Sequence, residues 1–486
     1  MTTSATGHTM PASVIDELRS TLRGPVVTPD DATYDSIRAL HNGAYDIRPQ
    51  AIARCADVAD VMAAVRMAAP LGIDIAVRGG GHNGAGYGTS EDLVIDLSLL
   101  KGIRIDPASR LAHVGGGALI ADLDHAGHAF GLAVPAGIIG TTGVGGLTVG
   151  GGHGHLTRKC GLTIDNLVSA DVVLADGSFV TADAGREPDL FWALRGGGGN
   201  FGIVTEFTFR MHPVASVVAG PTLFPVERTE EILRWYRDFL PSAPRELNGF
   251  FATMSVPPAA PFPEELWLKK MCGVVWCYTG SAAEADALLR PVRDLGPLID
   301  DMAEMPYPVF NSLFDELYGP GDQWYWRGDF VREIADEAIP VHASWGERLP
   351  SWKSTMHLYP VDGAPHDVGP DETAWAFRDA RWSTVIAGVD PEPQMLPALR
   401  DWCVGYWEDQ HPYSAGGGYL NFMMAEGRER IEATYGPHYG RLAAIKAAYD
   451  PGNVFHVNQN IVPAATLTVP EPRESSTTVP LGTATR

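Results

Sequence analysis

Apolar and polar positions divide the first hundred residues into short elements. Residues 73–77 and 93–97 are brief apolar runs rich in β-branched side chains, which predicts two strands. Apolar side chains recur at helical spacing over residues 57–69, and Pro70 and Gly72 follow, so a helix is expected to end there. The order helix, strand, loop, strand is therefore predicted up to residue 97.

Mixed α and β patterns continue towards the end of the chain. Short strands are expected to pair around the turn at Asp106 and Pro107, and a hairpin is expected at Asp176 and Gly177. After about residue 214 glycine becomes rarer, aromatic residues become more frequent, and strands alternate with helices, which predicts a second α+β domain. The other predicted elements are helices at 14–22, 119–130, 189–194, 230–239, 282–289 and 442–449, and strands at 51–53, 201–209, 248–255 and 271–278.

Charge and cysteine content narrow the class of protein. The chain has 486 residues, 36 Lys plus Arg against 59 Asp plus Glu, and a net charge of −23, which disfavours binding to nucleic acid or anionic lipid. Its five scattered cysteines show no metal-binding spacing and are expected to be reduced thiols in a cytoplasmic protein. No run of roughly 18 apolar residues occurs, so no membrane span is expected.

Glycine is the unusual component, at 54 residues. Its clusters lie at 79–88, 115–117, 137–154 and 195–202, which suggests four loops that meet one ligand. The run at 136–154 is expected to exclude a normal helix or strand interior, because each glycine costs about 1 kcal/mol relative to alanine in a helix.

The loop at 78–87, RGGGHNGAGY, connects the two strands predicted first. A dinucleotide fingerprint of the doubly wound fold would have to open a helix, so the Rossmann interpretation fails. The three glycines from Gly79 to Gly81 can leave backbone N–H groups free to form an anion nest, with Arg78 at its edge. His82 is the single basic or nucleophilic side chain within the loop besides Arg78. A tight turn with a solvated histidine explains the loop equally well at this point.

Two other groups of residues have open interpretations. The stretch YGPGDQWYWR at 318–327 packs four aromatic residues together, which suits a domain interface or a substrate cleft equally. The helix at 119–130 carries Asp122, Asp124, His125 and His128. A solvated face is favoured there over a metal site, because nothing elsewhere completes a ligand set, and no metal is expected.

Four ordered motifs together resemble the berberine-bridge-enzyme-like branch of FAD-linked oxidases, which share the vanillyl-alcohol-oxidase (PCMH-type) FAD-binding fold. They are RGGGHN from Arg78, TTGVGGLTVGGGHG from Thr141 with RKCGLTIDN from Arg158, DLFWALRGGGGNFGIVTEF from Asp189, and GGYLNFM with DPGNVFHVNQNI near the C-terminus. The resemblance covers about residues 35–465.

This resemblance implies an α+β protein with a PCMH-type FAD-binding domain of two α+β subdomains and a substrate domain whose antiparallel sheet is covered by helices. The implied divisions are a lead-in at 1–30, the first part of the FAD-binding domain at 31–212, the substrate-binding domain at 213–412, a segment at 413–464 that returns to the FAD-binding domain, and a disordered tail at 465–486.

The resemblance also implies how FAD is held. His82 stands where the family joins a histidine to the 8α-methyl of the flavin, an attachment that raises the flavin reduction potential. Relatives often add a cysteine four residues before the GVGG run, but Ile139 occupies that position here, so a monocovalent flavin is expected. Cys160 is interpreted as a structural thiol. The other implied FAD contacts are Arg78, Gly79, Gly80, Gly81, Asn83, Thr141, Thr142, Gly143, Gly145, Gly146, Asp165, Asn166, Gly202, Ile203, Val204, Asn458 and Asn460.

Catalytic candidates come from the same motifs. Tyr419 matches the tyrosine base of many relatives, with Asn421 two residues along an expected strand as its orienting group; a buried structural tyrosine is the alternative. His153 lies where relatives often have a substrate-facing tyrosine, so it is either a base or a structural histidine. The expected substrate contacts are Tyr318, Trp324, Trp326, Arg378 and Asp379.

The implied function is that of an oxidase. It would remove a hydride from an alcohol or amine carbon of a small organic substrate, such as a sugar moiety or a ring-bearing natural product, and reduce O₂ to H₂O₂. A dehydrogenase that uses another acceptor and a catalytically silent flavin-binding protein are the alternatives. The expected oligomeric state is a monomer or a homodimer.

Overall fold

A computed structural model describes residues 10–260 and 262–465. The predicted tail beyond residue 465 and the first nine residues lie outside this range. The helices are α1 (Ala12–Thr21), α2 (Tyr34–Arg38), α3 (Val58–Ala68), α4 (Ile120–His128), α5 (Val144–Val149), α6 (Thr157–Cys160), α7 (Pro188–Leu194), α8 (Thr229–Phe239), α9 (Ala282–Arg293), α10 (Tyr307–Asn311), α11 (Ala338–Gly346), α12 (Leu396–Gln410), α13 (Arg428–Tyr435) and α14 (Tyr439–Tyr449). The strands are β1 (Val26–Val27), β2 (Ala51–Arg54), β3 (Ile75–Arg78), β4 (Leu93–Asp96), β5 (Ile103–Asp106), β6 (Leu111–Gly115), β7 (Leu132–Ala133), β8 (Leu167–Val173), β9 (Phe179–Asp183), β10 (Ile203–Arg210), β11 (His212–Pro213), β12 (Ser216–Pro225), β13 (Leu247–Ser255), β14 (Lys270–Tyr278), β15 (Ile299–Asp300), β16 (Ala303–Pro306), β17 (Gln323–Arg327), β18 (Phe330–Val331), β19 (Thr355–Pro360) and β20 (Trp382–Asp390).

The first sheet has four strands in the order β1-β2-β4-β3. Strands β3 and β4 are parallel neighbours, with Val77 beside Ile95, although the loop between them carries no helix. Helices α1 and α3 cover one face of this sheet through apolar residues such as Leu18 and Val61, which are fully buried. The glycine loop therefore leaves the end of a rigid, buried strand, as the sequence predicts.

The second sheet has five strands in the order β5-β6-β10-β8-β9, and every pairing is antiparallel. The predicted hairpin is confirmed: β8 and β9 pair, and Gly177 in their turn has φ of +74°. Phe207 and Phe209 on β10 are fully buried and belong to the core on this sheet.

The third sheet has nine strands, and all its pairings are antiparallel; its main path is β15-β12-β14-β13-β19-β20-β17. Helices α8, α9, α11 and α12 supply buried apolar side chains to the core on one face, including Leu233 and Tyr406. The other face carries Phe250, Tyr359 and Val385, and it packs towards the first part of the chain. This arrangement is the predicted antiparallel sheet covered by helices.

The C-terminal segment returns to the beginning of the chain. Leu442 and Ile461 pack in the core of the five-stranded sheet, and Phe455 packs in the core of the four-stranded sheet. The strands of the nine-stranded sheet lie between Ser216 and Asp390. These positions support the proposed division near residues 212 and 412. Among the described residues, no helix has both the length and the apolar character needed to cross a bilayer.

Two local expectations are wrong. Residues 144–149 form α5 despite their glycines, because Val144 and Thr148 are buried and a Cβ on Gly145 would lie 2.7 Å from the carbonyl oxygen of Gly116. Close packing thus requires glycine within this one short helix. Tyr419 and Asn421 are not on a strand; residues Leu420–Phe422 form a 3₁₀ turn instead.

Candidate active site

One cavity of about 350 Å³ lies where the sheets and the C-terminal segment meet. Its lining runs from His41 to Gln459 and takes residues from each glycine-rich loop, so those loops do converge. The predicted site residues that line it are Arg78, Gly79, Gly80, Gly81, His82, Asn83, Thr142, Gly143, Gly145, Gly146, His153, Gly202, Ile203, Val204, Tyr318, Trp324, Trp326, Tyr419, Asn421 and Asn458.

The first glycine loop presents backbone to the cavity. In the part of the chain that the structure describes, the backbone N–H groups from residue 79 to 83 donate to no protein acceptor. Gly80 packs directly on Gly143: a Cβ on Gly80 would lie 2.3 Å from the Gly143 nitrogen, and the reverse distance is also 2.3 Å. Arg78 is held at the base of the loop by Asp96, with 2.9 Å between Nη2 and Oδ2. The loop is therefore a preformed row of free donors.

His82 projects from this loop between two hydroxyls and a second imidazole. Its Nε2 lies 3.1 Å from Thr141 Oγ1, and its Nδ1 lies 3.4 Å from Thr142 Oγ1. The ring stacks on His41, with centroids 3.8 Å apart and an angle of 17° between the planes. Desolvation, reinforced by the neighbouring His41, lowers the pKa of His82 well below its usual value. The imidazole is thus neutral, with an available lone pair, at physiological pH.

Tyr419 and Asn421 form a hydrogen-bonded pair at the cavity wall. The phenolic oxygen of Tyr419 accepts from the backbone N–H of Gly152 at 3.0 Å and from Asn421 Nδ2 at 2.7 Å. Asn421 Nδ2 also donates to the carbonyl of Leu147 at 3.2 Å, which fixes the orientation of the amide. A Cβ on Gly150 would lie 2.3 Å from Asn421 Oδ1, so glycine is required for this approach.

Both hydrogen-bond partners of the Tyr419 oxygen are donors, so the phenolic O–H donates to neither of them and points in another direction. Burial raises the pKa of Tyr419 above its usual value, while the hydrogen bonds from Asn421 and Gly152 oppose that rise. The same two donors would stabilise negative charge on the oxygen if it lost its proton.

His153 lies against Tyr419, with ring centroids 4.4 Å apart. Its Nε2 is 3.2 Å from Ser383 Oγ, whereas its buried Nδ1 has no partner among the described residues. Burial lowers the pKa of His153 to about 3, so the ring is neutral at ordinary pH. It therefore contributes an uncharged nitrogen to the cavity.

Three neighbouring strands supply the opposite wall. Alternate residues of β19, namely Thr355, His357 and Tyr359, line the cavity, and β20 places Ala387 and Val385 beside the first two. Trp326 on β17 is paired with Ala387, which extends the same face of the sheet, and Trp324 lies two residues before it. The aromatic cluster predicted at 318–327 therefore belongs to a cleft.

Two known family profiles match segments that build this cavity. The profile described as "FAD binding domain" matches residues 49–183, and the one described as "Berberine and berberine like" matches residues 418–462. An FAD-linked oxidoreductase of Dictyostelium discoideum is 30% identical over 84% of this chain and 87% of its own length. The chain belongs to the berberine-bridge-enzyme-like FAD-linked oxidoreductases.

One sequence comparison and one structural comparison each cover most of the chain. The (R)-6-hydroxynicotine oxidase of Paenarthrobacter nicotinovorans is 31% identical over 91% of this chain and 97% of its own length. The crystal structure of 6-hydroxy-D-nicotine oxidase from Arthrobacter nicotinovorans superposes with a TM-score of 0.81 at 28% identity, covering 91% of this chain and 98% of that one. The α+β PCMH-type fold expected from the motifs is thereby confirmed, and the protein is an FAD-linked oxidoreductase.

The residues present fit the FAD of this family. Gly146 and Gly199 line the cavity with open space where a Cβ would stand, so side chains there would fill room that a flat ligand needs. Free N–H groups on the first loop suit phosphate, and the buried side-chain oxygens of Asn458 and Gln459, which also line the cavity, have no partner among the described residues. A ligand with both acceptors and donors would satisfy both sets.

Six predicted residues do not line the cavity. Thr141 lies behind His82, and Asn460 keeps a buried side-chain oxygen without a partner among the described residues. Asp165 caps a 3₁₀ turn at Leu162 and pairs with Arg378, with Nη2 and Oδ1 2.7 Å apart. Asp379 is exposed and pairs with Arg332. The remaining residue is Asn166, which donates to the carbonyls of Cys160 and Leu162.

Arg378 and Asp379 do not reach the cavity as the predicted substrate contacts would: they lie in a turn outside the sheet and are used in ion pairs. Asp165 and Asn166 likewise serve local structure. The carboxylate of Asp165 is occupied by the Leu162 N–H and by Arg378, and the amide of Asn166 is occupied by backbone carbonyls and by His212. Sequence reasoning also missed His41, His357 and Tyr359. On β19 (TMHLYP), His357 and Tyr359 are two positions apart and therefore lie on the same face of the strand, which was a usable signal for both. No such signal marked His41 in the sequence.

Proposed function

We propose that this protein is an FAD-dependent oxidase whose flavin is attached through His82. It oxidises an alcohol or amine C–H group of a small ring-bearing substrate, and O₂ is reduced to H₂O₂. The observation that carries the proposal is that His82 and Tyr419 line one cavity, although 337 residues separate them in the chain. An anchor for the cofactor and a proton-transfer group thus face the same space.

The attachment depends on the environment of His82. A neutral imidazole is the nucleophilic form, and burial beside His41 keeps it neutral. Ile139 lines the cavity at the position where relatives with two attachments carry cysteine, and an aliphatic side chain forms no such bond. Cys160 does not line the cavity, and burial raises the pKa of its thiol to about 12. A single covalent link is therefore the proposal.

Non-covalent contacts complete the proposed FAD site. The free N–H groups of residues 79–83 would hold the pyrophosphate, because a nest of donors offsets phosphate charge without a counter-ion. The first turn of α5, with Gly145 and Gly146, would add donors that cannot bond within the helix. Asn458 would supply an acceptor from the C-terminal segment.

Bound FAD supplies a hydride acceptor for the substrate carbon. We assign Tyr419 to the accompanying proton: after the phenol has released its own proton to solvent, its phenolate oxygen would meet the O–H or N–H group of the substrate and take up that proton, which restores the neutral phenol. Asn421 and the Gly152 N–H hold the phenolic oxygen in place and stabilise charge that develops on it. Neutral His153 packs on the Tyr419 ring and excludes water from it.

The decisive experiment concerns the flavin itself. On a denaturing gel the wild-type band should fluoresce under ultraviolet light, and the His82→Ala band should not. His125→Ala, at an exposed position on α4, is the matched control and should keep its fluorescent band. Flavin that remains on denatured His82→Ala protein would overturn the attachment.

The identity of the final electron acceptor is tested separately. Wild-type protein reduced anaerobically by its substrate should release one equivalent of H₂O₂ when air is admitted. Slow reoxidation without peroxide would indicate a dehydrogenase that uses another acceptor.

A further inference from the structure

The substrate-facing wall of the cavity carries no full charge. Among the described residues that line the cavity there is no Asp, Glu or Lys, and the one Arg is Arg78, on the flavin side and paired with Asp96. The strands β17, β19 and β20 contribute indole, phenol, imidazole, hydroxyl and aliphatic groups instead. No side chain on this wall carries the opposite full charge that would neutralise a carboxylate or an ammonium group.

Charged groups close to this wall are already paired with each other. Lys353 Nζ lies 2.7 Å from Asp322 Oδ2, and Arg327 pairs with Glu426. None of these four residues lines the cavity. A substrate ion would therefore lose its hydration without gaining a partner, which costs several kcal/mol.

The same wall offers polar atoms that lack a partner. Within the described part of the chain, the buried nitrogens His357 Nε2, Trp324 Nε1 and Trp326 Nε1 make no hydrogen bond. The other nitrogen of His357, Nδ1, lies 2.7 Å from Tyr359 Oη, which anchors the ring. Indole nitrogens only donate, whereas the free imidazole nitrogen donates or accepts according to its tautomer.

Burial of these atoms makes their isolation costly. His357 is only 4% exposed, and burial lowers its pKa to about 3, so the ring offers an uncharged nitrogen. An unsatisfied buried polar group costs about 1–3 kcal/mol, and a ligand atom that pairs with it recovers that cost. Trp326 and Phe422, which meet edge to face with centroids 6.5 Å apart, give the cavity an aromatic surface that suits an apolar ring.

We propose that the cavity takes an uncharged, ring-bearing substrate whose oxygen or nitrogen atom pairs with His357 Nε2, and that an amine enters in its unprotonated form. This inference deepens the proposed function and rests on it. His357 acts as a specificity residue, because it recognises a polar atom of the substrate remote from the C–H bond that reacts. A free sugar acid or a permanently charged alkaloid is excluded.

Matched probes test, on the flavin-loaded protein, whether the cavity binds an uncharged ligand more tightly than an ion. The three probes are 2-naphthol, naphthalene-2-carboxylate and 2-naphthylmethylammonium, which share one ring system and differ in charge at pH 7. Binding is followed anaerobically through the change in flavin absorbance and through tryptophan fluorescence. We expect 2-naphthol to bind at least about tenfold more tightly than either ion. Equal or tighter binding of an ion, or binding of none of the three, would overturn the proposal.

A second comparison tests His357. In wild-type protein 2-naphthol should bind about fivefold more tightly than naphthalene, the strength of one hydrogen bond. His357→Phe should remove that preference while it leaves naphthalene binding unchanged. His155→Phe is the matched control, because His155 is also buried with an unpartnered Nε2 but does not line the cavity. A preference that survives in His357→Phe, or that disappears in His155→Phe, would contradict the assignment.

The outcomes separate the two proposals. Failure of the covalent attachment appears on the denaturing gel, and failure of the oxidase chemistry appears as absent peroxide. Neither result changes the order of affinities among the naphthalene probes, because that order depends on the wall alone.

Discussion

The two halves of the cavity are built in opposite ways. The flavin half is made of backbone: glycine loops that approach each other closely and leave N–H groups free. The substrate half is made of side chains that project from one face of three antiparallel strands. The shape of the flavin half thus depends on the absence of side chains. The chemical groups of the substrate half, in contrast, are supplied by side chains.

The difference decides how each half responds to mutation. Adding a single carbon where the loops touch, at Gly80 or Gly143, introduces overlap with backbone, which cannot rotate away. Removing a single atom from the substrate half leaves the sheet intact and changes only what the cavity recognises or accelerates. Three substitutions test this contrast, in order of decreasing effect.

The largest effect is expected for Gly80→Ala. Its new Cβ would stand 2.3 Å from the nitrogen of Gly143, so one of the two loops must move. We expect a loss of about 3 kcal/mol or more in FAD binding, measured as the flavin content of the purified protein. Gly102→Ala is the control, because no atom lies within 4 Å of that Cβ position. A fully flavin-loaded Gly80→Ala protein would contradict the backbone origin of this half.

Tyr419→Phe should affect rate rather than retention of the cofactor. Loss of the oxygen that accepts the substrate proton should slow flavin reduction about 10²-fold, by roughly 2.7 kcal/mol, in stopped-flow experiments with any substrate that bleaches the flavin. Tyr359→Phe also removes a phenol oxygen at the cavity, but that oxygen anchors His357 and takes no substrate proton, so at saturating substrate it should slow reduction less than about threefold. If both variants reduce their flavin at the wild-type rate, Tyr419 is not the proton acceptor.

The smallest effect is a pH dependence of stability from His153. Its pKa is about 3 in the folded protein, against 6.5 for a histidine in an unperturbed environment, so the unfolded chain binds the proton more readily. Stability is therefore lost as the pH falls below 6.5, by about 2 kcal/mol at pH 5. His153→Phe should reduce the difference between the urea midpoints at pH 7 and pH 5 by the equivalent of that free energy, which is the free energy divided by the m-value.

Phe422→Leu is the control for this measurement, since it removes no titrating group from the same wall and should lower stability equally at both pH values. An unchanged difference between the two midpoints in His153→Phe would show that this ring does not resist protonation in the folded protein.

Sequence reasoning succeeded where one residue type is compulsory. Only glycine permits the close contact between Gly80 and Gly143, so these positions stand out in the sequence as parts of glycine motifs. The order of those motifs along the chain identified the family. His357 required knowledge of which face of β19 meets the cavity, although its alternation with Tyr359 was visible. His41 could not be predicted, because its stacking on His82 depends on two segments that only the folded chain brings together.

Ion pairs account for the remaining errors. Arg378 and Asp379 are adjacent charged residues in a segment that resembles a cleft-lining segment of the family. The sequence alone does not reveal that each of them has an ion-pair partner elsewhere in the chain. Asp165 lies 213 residues from Arg378, and their contact is a long-range outcome of packing. Buried pairs of this kind stabilise a particular arrangement of the chain and leave no local pattern in the sequence.

The return of the C-terminal segment sets the order in which function can arise during synthesis. Tyr419 and Asn421 leave the ribosome after more than 400 preceding residues, and Phe455 and Asn458 follow still later. Because proteins emerge from their N-terminus, the strands of the four-, five- and nine-stranded sheets and the proposed anchor His82 are all made before the proposed proton acceptor exists. A nascent chain without this segment thus lacks the proposed proton acceptor, so the proposed turnover of a substrate has to wait for the C-terminal segment.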